Sequence, residues 1–117
     1  MNIIKFYSDL GDNFDKVVNR LGTKEFVEDF IVEFVKDDTF SNLCNSYNNK
    51  DIDNSFLASH TLKGIASNLG LSNLYKVAST LTEALRKKTF DNSINLFNEV
   101  VFEYNKIIDT YKKNGGK

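Results

Sequence analysis

Apolar residues recur every three or four positions along most of this chain, and no stretch alternates with period two over a useful length. That spacing puts the apolar residues on one side of a helix and leaves no half-buried strand to build a sheet from. Proline is absent from the 117 residues, so no ring geometry forces a helix to stop. Glycine and asparagine do the punctuating instead. Gly11, Gly22 and Gly70 fall between periodic segments, Asn48-Asn49 marks another break, and Gly115-Gly116 sits in a polar tail, about 112–117, that the sequence predicts to fray.

The periodic segments define the expected helices. Residues 12–21 carry Phe14, Val17, Val18 and Leu21, with Asp12 placed as an N-cap. Thr23 caps a helix over about 24–36, whose Phe26, Val27, Phe30, Ile31, Phe34 and Val35 predict a broad core stripe. A shorter segment, about 39–48, repeats the pattern with Phe40, Leu43, Cys44 and Tyr47; Cys44 is expected to pack as a small hydrophobe. Asp51 caps a helix of about 52–69, Ser72 caps one of about 73–88, and Asp91 opens the last, whose apolar set runs to Tyr111. Amphipathic helices joined by short loops predict an all-α fold, an antiparallel four-helix bundle with one or two additional short helices, in a single domain over 1–117.

Composition narrows the function. Fifteen basic against sixteen acidic residues give a net charge of −1, without the basic excess of a domain that grips phosphate backbones. Arg86-Lys87-Lys88 reads as cations placed at a helix C-terminus. Nucleic acid is therefore not an expected partner. One cysteine, Cys44, cannot form an internal disulfide, and one histidine, His60, cannot complete a zinc site with it. No apolar run approaches the ~20 residues that span a bilayer, and the first residues lack a signal-peptide pattern. A soluble, cytoplasmic protein without membrane contact is expected. A monomer is expected too, since the helical stripes leave no second apolar face over.

The helix of 52–69 carries the chain's one candidate nucleophile. At about 100° per residue, Ser55, Ala58, Leu62, Ile65, Ala66 and Leu69 cluster opposite His60, so His60 points to solvent. Phe56, Lys63, Gly64 and Ser67 share its side, with Asp53 and Leu57 nearby. Apolar Phe56 and Leu57 on a wet face suggest a docking surface. Gly64 costs about 1 kcal/mol in mid-helix relative to alanine, and it strips bulk from the neighbourhood of the imidazole. Lys63, three residues on, brings a positive charge within reach of anything attached to the ring. An exposed neutral imidazole is a competent nucleophile near neutral pH. Asp53, His60 and Ser67 also share this face, but seven-residue spacings separate them by roughly 10 Å along the axis, too far for a hydrolytic triad.

His60-Thr61-Leu62-Lys63-Gly64, followed by Asn68-Leu69-Gly70, resembles the H-x-x-K-G-x-x-x-x-x-G motif of histidine-containing phosphotransfer (HPt) domains. The resemblance extends to Arg20-Leu21-Gly22 before the first long helix and to Leu81-Thr82-Glu83-Ala84-Leu85-Arg86 after the motif. It implies a phosphorelay intermediate of two-component signal transduction, in which His60 accepts a phosphoryl group from a receiver-domain aspartate and passes it to another. It implies that Lys63 stabilises the phosphoryl group and that Gly64 gives it space, with Phe56, Leu57 and Ser67 as partner-binding residues. Receiver domains and hybrid sensor kinases are the implied partners. No cofactor is bound by the domain itself; the Mg²⁺ of the reaction belongs to the receiver, and no kinase or ATPase activity is implied. The alternative is an interaction module that docks receivers or other partners through the same face without carrying phosphate. Gly70 reads as a C-cap between two helices.

Overall fold

The computed structural model describes all residues, 1–117, as seven helices and no strand: α1 (Ile3–Asp9), α2 (Phe14–Leu21), α3 (Lys24–Lys36), α4 (Thr39–Asn48), α5 (Ile52–Asn68), α6 (Ser72–Arg86) and α7 (Ile94–Lys113). Helices α4 to α7 make the bundle. Side-chain pairs fix their directions: Tyr47 stacks on Phe97 at 4.1 Å and Phe40 on Tyr104 at 3.8 Å, so α4 and α7 run antiparallel. Ser59 meets Thr82 and Asp53 meets Lys88, which sets α5 against α6 in the same sense. The core threads these elements, with Leu43, Leu62, Leu74, Leu81, Leu85 and Val100 almost wholly buried. No helix is long and apolar enough to cross a membrane.

The remaining helices close the bundle's side and end. Phe34 of α3 reaches Tyr104 of α7, and Phe6 of α1 meets Tyr111 edge-on. The helix α1 is the element that sequence periodicity did not announce. Seven residues hold only two turns, yet Ile3, Phe6 and Tyr7 are completely buried. The Tyr7 hydroxyl donates to the Leu69 carbonyl at 2.6 Å, which satisfies an orphan acceptor at the end of α5. Burial pushes the Tyr7 phenol above its ordinary value, with the Asp12 charge adding to the effect.

Several sequence expectations change in detail. Asn13, not Asp12, caps α2 by accepting from Lys16 N. Asp12 instead accepts from Ser72 N at 3.4 Å, so α6 takes its cap from a distant segment and begins at Ser72 itself. The last helix starts at Ile94 rather than just after Asp91, because Asn92 adopts φ 59° and the chain is still turning there. Thr23 and Asp51 cap α3 and α5 as expected.

The α3 stripe is only partly core. Val27, Ile31 and Phe34 are buried, whereas Phe26 and Phe30 are 54% and 41% exposed. A 13-residue helix that leans on the bundle from one side covers a narrower strip than its apolar residues offer. The premise that no apolar residues are left over therefore fails on α3. Helix α7 runs to Lys113, and buried Asn114 donates to Asp9 Oδ2 at 3.1 Å while its carbonyl accepts from Asn2 N at 2.8 Å. Cys44 is half-buried against the core, and desolvation raises its thiol's pKa.

Candidate functional site

Helix α5 presents the site, and its rotation is set by what it buries. Ser55, Ala58, Ser59, Leu62, Ala66 and Leu69 face inward. At its start Asp51 accepts from Asn54 N at 3.2 Å and from Asn54 Nδ2 at 2.7 Å, fixing the first turn. At mid-length Thr82 Oγ1 donates to Ser59 Oγ at 3.0 Å, and Ser59 Oγ donates to the Phe56 carbonyl at 3.1 Å. Both hydroxyls are fully buried, so this chain of bonds ties α5 to α6 beneath the next residue, His60.

His60 is exposed on the opposite side. Its ring lies parallel to that of Phe56, 5° between planes and 6.0 Å between centroids. Phe56 is half-buried, and the Arg86 guanidinium lies over it at 5.0 Å. Arg86 of α6 thus covers one face of Phe56. Leu57 is 58% exposed and borders a groove between α4 and α5 rich in amides, with Asn42, Asn45 and Asn54 along it.

Lys63 is half-buried one turn from His60, and its ammonium enters none of the chain's four ion pairs. Gly64 is exposed, and a Cβ placed there meets nothing within 4 Å. This glycine therefore keeps open surface beside the imidazole rather than admitting a neighbouring helix. Ser67, also exposed, borders a second groove where α2 contributes Lys16 and Arg20. Gly70 is the opposite case from Gly64. Its φ is +66°, which ends α5, and a Cβ there would collide with Val17 Cγ2 of α2.

Two α6 residues complete the surroundings. Glu83 accepts from Arg86 Nε at 3.1 Å and from Arg86 Nη2 at 3.3 Å. Arg86 holds the Glu83 carboxyl below the usual carboxylate range through this bond and its charge, with smaller help from the charges of Lys63 and His60. In the sequence Arg86 stands out as a cation at a helix end and as the last residue of the family-like run 81–86, with no contact to the His60 face implied. The antiparallel register that sets it over Phe56 is a tertiary fact. Asp53 is ion-paired with Lys88 at 2.9 Å, which engages the carboxylate on the far side of Phe56.

The site is thus an exposed imidazole with a free ammonium one turn away, bare backbone beside it and an aromatic ring along one edge. Such a set has the chemistry to take an anionic group on the ring, with the Lys63 charge beside it. A family model of the Hpt domain matches residues 25–110. The chain belongs to the Hpt domain family. The match runs from the second residue of α3 to Thr110 near the end of α7, includes His60, Lys63 and Gly64, and leaves α1 and α2 outside. No curated protein and no solved structure gives a match. Hpt domains are phosphocarriers of two-component relays that interact with receiver domains, and the H-x-x-K-G positions of this chain lie together on the outward side of α5.

Proposed function

We propose that this Hpt domain is a phosphorelay intermediate with His60 as its phosphoacceptor. The observation that carries the reading is the outward face of α5, where an exposed imidazole stands between an unpaired Lys63 and the open surface at Gly64. A ring nitrogen of neutral His60 attacks the phosphorus of a receiver's aspartyl phosphate. The N–P bond forms as the acyl O–P bond breaks, and the aspartate carboxylate leaves with the bonding pair. The proton on the other ring nitrogen then passes to solvent. Onward transfer to a second receiver reverses these steps. The transition state is loose, so positioning and charge are most of what the carrier has to supply.

Lys63 supplies that charge, and the Phe56 ring limits the rotation of the imidazole. Gly64 admits the receiver, whose own acidic pocket brings Mg²⁺. Leu57 and the Phe56 edge offer the apolar contact of the docking surface, with Ser67 at its lower margin. Phosphorylated receiver and Mg²⁺, mixed with the protein, test this. Acid-labile, base-stable label is expected on the wild type and not on His60→Gln, whose helical circular dichroism stays unchanged. Label persisting on a folded His60→Gln protein would place the acceptor elsewhere.

A further inference from the structure

One carboxylate near His60 has no part in the transfer step described above. Glu83 follows Thr82, whose hydroxyl bonds the residue adjacent to His60. It grips Arg86 with both oxygens, yet the two side chains are 62% and 53% exposed. Exposed pairs of this kind are weak and exchange readily. The guanidinium so held lies over Phe56, and the Phe56 ring lies parallel to that of His60, so both groups neighbour the same ring. A phosphoryl group on the imidazole adds a dianion with three strong acceptor oxygens beside that ring. Guanidinium pairs bidentately with such a group as it does with a carboxylate.

Resting on the phosphotransfer reading of His60, we propose that Glu83 is a positioning residue: it holds Arg86 over Phe56 in the unphosphorylated protein and yields it to the phosphoryl group once His60 is modified. The exchange replaces two N–H···O bonds to carboxylate by N–H···O bonds to phosphoryl oxygen and breaks no covalent bond. Its effect is to make the two forms of the domain look different to a receiver. The unmodified face carries a neutralised pair. The modified face carries an arginine on the phosphoryl group and a free carboxylate one turn back on α6. Competition from that carboxylate keeps Arg86 from retaining the phosphoryl group too firmly, which favours its onward transfer.

Phosphoramidate, which modifies histidine directly, charges His60 with no receiver present and so separates this inference from the relay itself. On charging, the Arg86 Nε–H resonance is expected to move. The Glu83 carboxyl is expected to titrate at higher pH, since it loses Arg86 and gains a nearby dianion. In Arg86→Gln that rise is smaller, because only the dianion remains to cause it. With a receiver as acceptor, Glu83→Gln is expected to slow onward transfer about two- to fivefold, the scale of a weak exposed pair, and Glu83→Asp to restore most of it. An Arg86 resonance unmoved by charging, or wild-type transfer from Glu83→Gln, overturns the exchange. Failure of phosphoramidate to label His60 overturns the phosphoacceptor assignment and the exchange together. Labelling without transfer to any receiver overturns only the relay.

Discussion

Replacing Gly64 by alanine should stabilise the fold while impairing transfer, and the two effects separate a functional glycine from a packing one. Gly64 lies inside α5 with ordinary helical backbone, and an added Cβ meets no atom within 4 Å. Nothing offsets the intrinsic helix preference, so the gain should be the full difference between the residues, about 0.8–1 kcal/mol. For a domain of this size that raises the melting temperature by roughly 3–5 °C. Gly70→Ala has the opposite sign. Its φ of +66° costs an L-residue about 1 kcal/mol, and the collision with Val17 adds overpacking of about 1–3 kcal/mol. Urea unfolding followed by circular dichroism measures both. Transfer from a receiver should slow at Gly64→Ala and slow further at Gly64→Gln as bulk enters the docking surface. Loss of stability in Gly64→Ala would refute the reasoning, because it would mean that the site is packed.

Other perturbations probe the remaining links. Lys63→Ala should leave the unfolding midpoint nearly unchanged, since Lys63 holds no ion pair, while transfer slows and the phosphohistidine lifetime shortens. Tyr7→Phe strands the buried Leu69 carbonyl and should cost about 1–3 kcal/mol, read from urea curves. Asp9 accepts from Lys5 and Asn114, and these bonds hold its carboxyl below the ordinary value. A depressed folded pKa gives stability that is present above the unfolded carboxylate pKa and lost as pH falls through the folded one. The urea midpoint of wild type should therefore drop on acidification across that window, and Asp9→Asn should show a shallower drop.

The bundle was legible because its helices are amphipathic and long enough for the period to register. The α5 wheel placed His60 outward and Leu62 and Ala66 inward, as the structure has them, since burial on two sides leaves a central helix little rotational freedom. Helix α1 escaped because two turns carry too few repeats, and its stability comes from tertiary burial of Phe6 and Tyr7. On α3 an apolar periodicity says which residues could be buried, not how much neighbour exists to cover them; Phe26 and Phe30 are the excess. Within the site, His60, Lys63 and Gly64 sit one turn apart on a single helix and so were readable together. Glu83 and Arg86 reach the same place only through the α5–α6 register, and that register rests on a buried Ser59–Thr82 bond that no local pattern reveals.

The relay claim itself is tested most directly by a round trip. Protein charged at His60 is freed of donor and mixed with a second receiver and Mg²⁺, and label is followed on both partners. Label is expected to leave His60 and appear on the receiver aspartate, with Lys63→Ala slower than wild type. Binding of receivers with no movement of label, across several of them and with folded, charged protein, would contradict it and leave a docking module in its place.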